Sequence, residues 1–168
     1  MLTPIQTRYA GYLFRSRLEA RWAVYFDALG ITWEYEKEGY DLGHLGWYLP
    51  DFWLPQVNSW AEVKPERFTP HEYAKCEQLA IGTKHPVILL EGMPDSRWYW
   101  QLEPSGQYAG TTEVFVSNYH GYNTGEHRFY CCPGARTPDL EGVLTSEIAN
   151  AINAARSARF EHGENGAR

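Results

Sequence analysis

The order of apolar and polar residues along the chain predicts a mixed α/β protein. Apolar residues recur at helical spacing between Phe14 and Leu29, and Gly30 then ends the predicted helix. Alternation of apolar and polar residues predicts a strand over Ile31–Leu42. Two aromatic-rich runs joined by a polar turn predict a β-hairpin over Trp47–Lys64.

The following part of the chain continues the same alternation of helices and strands. A second helix is predicted to open at Thr69 or Pro70, to run to about Ile81 and to close at Gly82. The continuous apolar run Pro86–Leu90 is typical of a strand that is covered on both faces. Three further strands and a final helix are predicted beyond it, over 97–102, 112–117, 128–132 and 140–160.

This order of elements predicts a mixed central sheet flanked by helices, with a C-terminal β elaboration and a final helix. With 168 residues, the chain is long enough for one domain with a substantial core. We expect a core over 1–92, an elaboration of the same domain over 93–160, and a flexible polar tail over 161–168.

Composition narrows the possible compartment and partners. No apolar run approaches the length of a membrane-spanning helix, and the N-terminal residues lack the apolar core of a signal peptide. The three cysteines include an adjacent pair and show no disulfide spacing. We therefore expect a cytoplasmic protein with no membrane partner.

The net charge of −6 argues against extensive non-specific binding of nucleic acid. The N-terminal region is nevertheless locally basic, because four of the five charged residues up to position 21 are arginines: Arg8, Arg15, Arg17 and Arg21. This distribution fits a weak or transient nucleic-acid binder. The alternative is that both the basic and the acidic runs are ordinary solvated faces.

Three charged residues lie in the predicted hairpin, where a sheet does not require them: Asp51, Glu62 and Lys64. Side chains alternate along a strand, so Glu62 and Lys64 share a face, and the hairpin can bring Asp51 beside Glu62. Two adjacent desolvated carboxylates need cations, and Lys64 offsets only part of their charge. A divalent metal ion would offset the rest; the alternative is a structural ion pair with an additional acid.

Polar residues on the two predicted helices are also candidates for catalytic or binding roles. Glu19 borders the apolar face of the first helix, where a carboxylate is more often paired with a cation such as Arg15 or Arg21. Lys75 and Gln78 lie near the middle of the second helix and could reach a phosphate or a hydrolytic water. The alternative for these two residues is an exposed polar face.

The chain resembles the PD-(D/E)XK nuclease superfamily, which has the restriction-endonuclease-like fold. The resemblance covers Tyr9–Gly92 and rests on a helix bearing Glu19, then Pro50–Asp51, Glu62–Lys64, a helix and a buried strand. Small uncharacterised phage and actinobacterial members are also similar over the stretch FRSRLEARWAVYFDALGI…YLPDF…EVK, which implies the cytoplasm of a bacterial or phage-infected cell. Pro65 departs from the pattern, since relatives often have a small residue such as glycine there.

The resemblance implies a metal-dependent nuclease that hydrolyses phosphodiester bonds in DNA. Its cofactor would be Mg²⁺ or Mn²⁺, held by Asp51, Glu62 and the backbone carbonyl of Val63. Lys64 would orient the attacking water or stabilise the developing negative charge. Glu19 would bind a second metal ion or hold a water of the first.

The same resemblance implies contacts from Arg15 and Arg17 to the nucleic-acid backbone, and a possible homodimer. One alternative is a catalytically silent module on the same fold, binding nucleic acid or protein. A second is a zinc-stabilised structural protein built on histidines and cysteines: His120, His127, Cys131 and Cys132. Adjacent cysteines are poor tetrahedral ligands and no CxxC motif is present, which disfavours zinc.

Overall fold

The computed structural model describes residues 3–95, 98–105, 108–113, 115–116, 129–130 and 146–160. These residues form two compact units. One comprises the described parts of 1–31, 93–97 and 115–168, and the other comprises those of 32–92 and 98–114. The domain limits expected from the sequence stay a prediction.

The N-terminal residues form a hairpin followed by a helix. Strands β1 (Thr7–Tyr9) and β2 (Tyr12–Phe14) pair antiparallel, and helix α1 spans Arg17–Ala28. The hydroxyl of Ser16 caps α1, and Gly30 follows the helix with a positive φ of 69°, which glycine adopts without strain. The helix and its glycine stop are therefore confirmed, with a later start than predicted.

Five short strands occupy the stretch that leads to the predicted site. They are β3 (Glu34–Tyr35), β4 (Tyr40–Asp41), β5 (Trp47–Tyr48), β6 (Phe52–Leu54) and β7 (Ser59–Lys64). The single strand predicted over Ile31–Leu42 is wrong. Glu36 has a φ of 46°, a left-handed conformation that interrupts an extended chain, so β3 and β4 join different sheets.

The following elements complete the larger sheet. Helix α2 spans Pro70–Thr83, and strands β8 (Val87–Glu91), β9 (Trp98–Leu102) and β10 (Tyr108–Glu113) come after it. The predicted stop at Gly82 is wrong: α2 continues through Thr83, and Lys84 adopts the left-handed conformation that ends it, with a φ of 60°. The buried strand predicted over Pro86–Leu90 is confirmed as β8.

The remaining described elements are two short parallel strands and a helix: β11 (Phe115–Val116), β12 (Phe129–Tyr130) and α3 (Ser146–Ser157). Helix α3 packs on α1, and Arg21 Nη1 donates to the carbonyls of Ala155 and Arg156 at 2.7 Å each. The proposed zinc ligands and the predicted tail lie outside the described residues.

The second unit is built on a mixed six-stranded sheet with the order β10-β9-β8-β7-β6-β3. Strand β7 is antiparallel to β6 and parallel to β8. Helix α2 packs on one face through a buried apolar cluster that includes Trp53, Trp60, Cys76, Leu79 and Leu89. The structure thus has the mixed α/β architecture and mixed sheet that the pattern predicts, with β9 and β10 as its extension.

No helix in the described part of the chain is long and apolar enough to cross a membrane.

Candidate active site

The pairing of β6 with β7 brings the first two predicted site residues together. Phe52 lies opposite Ala61 and Trp53 opposite Trp60, so the next step of this antiparallel register places Asp51 opposite Glu62. Strand β6 lies between β3 and β7 in the sheet, with Pro50 before it and Pro55 after it, where neither proline interrupts the strand.

Two hydrogen bonds each join a backbone N–H on one arm of this hairpin to a carboxylate on the other. The backbone N–H of Val63 donates to Asp51 Oδ2 at 2.8 Å, and the backbone N–H of Asp51 donates to Glu62 Oε2 at 3.3 Å. Asp51 and Glu62 are each only 2% exposed. The strand pair therefore holds two carboxylates at one buried position, although burial of a carboxylate costs free energy.

Lys64 supplies a positive charge to this pair. Its Nζ donates to Glu62 Oε1 at 2.7 Å and lies 4.0 Å from Glu72 Oε1. Burial by itself lowers the pKa of Lys64, but Glu62, Asp51 and Glu72 together outweigh that effect and raise it above its ordinary value. Lys64 is therefore charged at neutral pH. We call Asp51, Glu62 and Lys64 the hairpin cluster, and it contains two acids and one base.

Helix α2 adds a third acid beside Lys64. Glu72 belongs to the capping box at the start of α2: Thr69 Oγ1 accepts from the N–H of Glu72, and Glu72 Oε2 accepts from the N–H of Thr69 at 2.9 Å. Burial opposes it, but the N–H and the hydroxyl of Thr69 both donate to the Glu72 carboxylate, and together with the charge of Lys64 they lower the pKa of Glu72. We did not predict Glu72, but the Thr-x-x-Glu spacing before an apolar helix would have located it.

Tyr48 and Cys76 lie next to Glu62, and the sequence analysis assigned a role to neither. The Tyr48 hydroxyl is 3.4 Å from Cys76 Sγ and also interacts with the carboxylate of Glu62. Burial is the main cause that raises the pKa of both groups, and the charge of Glu62 adds to it, so both keep their protons at neutral pH. Lys75 Nζ lies 6.0 Å from the centre of the Tyr48 ring, which places this predicted nucleic-acid contact beside the cluster.

Of the other predicted site residues, three belong to the first compact unit, and Gln78 lies on α2 in the second. Glu19 is buried in the first turn of α1, where its Oε1 accepts from the Ser16 hydroxyl at 2.7 Å. Arg15 and Gln78 are exposed, and Arg17 is the first residue of α1. The metal-binding role of Glu19 and the phosphate contacts of Arg15, Arg17 and Gln78 stay predictions.

The donor chemistry of the hairpin cluster fits a hard divalent cation. Asp51 and Glu62 supply carboxylate oxygens, and the carbonyl of Val63 is the third predicted ligand. Within the described ranges, no group of three or more His, Cys, Asp or Glu side chains is arranged to hold a metal ion. Mg²⁺ usually keeps several waters and needs only one or two protein carboxylates, so the two-acid set is sufficient.

No protein-family model matches this sequence, and no curated protein matches it at significant similarity.

Proposed function

We propose that the chain is a metal-dependent nuclease that hydrolyses phosphodiester bonds in DNA, on a restriction-endonuclease-like fold. The observation that supports this function is the hairpin cluster: two carboxylates, each 2% exposed, are held close by cross-strand hydrogen bonds, and one ammonium group donates to Glu62. Such a concentration of buried negative charge is stabilised by a further cation.

Within this proposal, Asp51 and Glu62 hold the metal with the carbonyl of Val63. Bound Mg²⁺ or Mn²⁺ supplies charge neutralisation at the phosphate and lowers the pKa of a water molecule. Lys64 is held by Glu62 and Glu72, and its charged Nζ positions the attacking water or stabilises the negative charge that develops on the phosphoryl oxygens. Asp51, fixed by the N–H of Val63, needs little reorganisation to bind.

The test is cleavage of labelled DNA by the purified full chain with Mn²⁺. We expect cutting that EDTA stops and that Asp51→Ala abolishes. Asp95→Ala, at an exposed aspartate outside the hairpin cluster, is the matched control and should cut as the unmodified chain does. Equal cutting by the Asp51→Ala and Asp95→Ala variants would overturn the proposal.

A second candidate function is a binding module without turnover. It is favoured by the depth of the cluster, since Asp51 and Glu62 are almost fully buried and Glu62 already has Lys64 as its partner. A panel of labelled duplex, branched, nicked and single-stranded substrates separates the two functions. Binding of DNA without cutting of any form, at any Mn²⁺ concentration, would support the module and exclude the nuclease.

A further inference from the structure

A cavity of about 720 Å³ lies in the unit that contains the β1–β2 hairpin, and none of the hairpin-cluster residues lines it. Its walls are Ile5 and Gln6, residues of β1, β2 and their turn, and Arg17 and Phe160. Three large apolar side chains that line it are unusually exposed, namely Ile5 at 55%, Tyr12 at 43% and Leu13 at 46%. Exposed apolar groups concentrated around one cavity are typical of a binding surface.

The charge of this cavity is opposite to that of the chain. Its only charged lining residues, among those that the structure describes, are Arg8 and Arg17, whereas the whole chain carries a net charge of −6. Arg8 is the central residue of β1, and it is exposed. The cavity therefore attracts an anion locally, while the overall charge disfavours a second copy of this acidic chain as its occupant.

Aromatic contacts hold the interior of the cavity in place. The Tyr9 hydroxyl donates to Asp27 Oδ2 at 2.6 Å, which ties β1 to α1. The Phe160 ring packs edge-on against Tyr9 with ring centres 6.1 Å apart, and the Arg21 guanidinium lies 5.7 Å from the centre of the same ring. Fixed walls of this kind cost little ordering entropy when a ligand binds between them.

We propose that this cavity binds single-stranded nucleic acid, with a base against Tyr12 and the adjacent phosphates at Arg8 and Arg17. Aromatic stacking combined with a few cationic contacts is how proteins bind unpaired strands without sequence preference. The volume is within the roughly 300–1,000 Å³ range of pockets that bind small ligands, so it has room for one or two bases. This inference rests on the proposed function in one respect, namely that the bound strand is the substrate of the nuclease.

The test is fluorescence anisotropy with a labelled single-stranded oligonucleotide, measured in EDTA on the full chain carrying Asp51→Ala. Binding is then read without cleavage, so failure of the nuclease proposal leaves this measurement interpretable. We expect Tyr12→Ala to weaken binding about tenfold, whereas Tyr12→Phe, which keeps the ring, binds as before. We expect Arg8→Ala to weaken binding and to reduce the slope of log K against log salt by about 0.7.

The matched control for charge is Arg67→Ala, at an exposed arginine that does not line the cavity, and it should leave affinity unchanged. Equal effects of Arg8→Ala and Arg67→Ala would overturn the inference, because binding would then be diffuse. It would also be overturned if duplex DNA of the same length, or a poly-aspartate peptide, competed as well as the unlabelled single strand.

Discussion

At the scale of single residues, the charges of the hairpin cluster depend on one another. Transfer of a carboxylate from water into the protein interior costs several kcal/mol unless partners replace its hydration. Glu62 recovers part of that free energy from Lys64 Nζ and the N–H of Asp51, and Asp51 recovers part of it from the N–H of Val63. Removal of any one partner therefore leaves a buried charge with too few contacts.

We expect Lys64→Met to lower the free energy of unfolding by roughly 2 kcal/mol, because it removes the cation that pairs with Glu62. This lies below the ~3–5 kcal/mol seen when fully buried pairs are broken, since the Lys64 side chain is 27% exposed. Urea denaturation measures the change. Lys37→Met is the control, because its pair with Glu34 is exposed on both sides and should cost under about 1 kcal/mol. Equal losses would mean that burial adds nothing to the Lys64 pair.

The free energy of unfolding should fall at alkaline pH because Cys76, Tyr48 and Lys64 lose their protons. All three have a pKa that is raised in the folded protein, so their stabilisation is complete below the unfolded pKa and is lost as pH rises through the folded pKa. The decline should begin near pH 9.0, which is the ordinary pKa of a cysteine. In Cys76→Ala it should begin nearer the tyrosine value of 10.0. Urea midpoints between pH 7 and 11 test this, and an unchanged onset in the variant would contradict the account.

Glu19→Gln should slow cleavage less than Asp51→Asn does. Glu19 already bonds to the cap residue Ser16, and its proposed role is secondary, whereas Asp51 is a proposed primary ligand. Single-turnover rates at saturating Mn²⁺ provide the comparison. A loss from Glu19→Gln as large as that from Asp51→Asn would make Glu19 a primary ligand.

At the scale of elements, the sequence predicted those features that depend on neighbouring residues along the chain. The β6–β7 hairpin was predictable because two apolar runs flank a polar turn, and Asn58 adopts the left-handed conformation there with a φ of 50°. The interruption after β3 was not predictable. Glu36 carries no turn signal, and its backbone N–H instead donates to the carbonyl of Asp51, 15 positions along the chain. Tertiary contacts overrode the alternating pattern.

The capping box should contribute measurably to the stability of α2. Thr69→Ala removes the acceptor for the Glu72 N–H, and we expect the free energy of unfolding to fall by about 1 kcal/mol. Thr69→Ser retains a hydroxyl in the same position and should cost less than half as much. Thermal or urea unfolding of the three proteins compares them; equal losses for both variants would show that the side-chain methyl, and not the hydroxyl, matters.

At the scale of the whole molecule, the larger sheet determines which charges meet. Antiparallel pairing of β6 with β7 was enough to predict that Asp51 and Glu62 are neighbours. Their near-complete burial, and the positions of Tyr48, Cys76 and Glu72 around them, depend on how α2 packs across the sheet. Packing between distant segments is not readable from residue order, so these neighbours were missed. The restriction-endonuclease-like identity of the fold stays a prediction.

In the function that we propose, Asp51 and Glu62 share one divalent cation and Lys64 does not bind it. Calorimetric titration of Mn²⁺ into the full chain tests this most directly. We expect one site that Asp51→Asn or Glu62→Gln weakens at least tenfold and that Lys64→Ala leaves within about threefold, with cleavage lost in all three. Unchanged Mn²⁺ affinity in Asp51→Asn and Glu62→Gln would contradict the account.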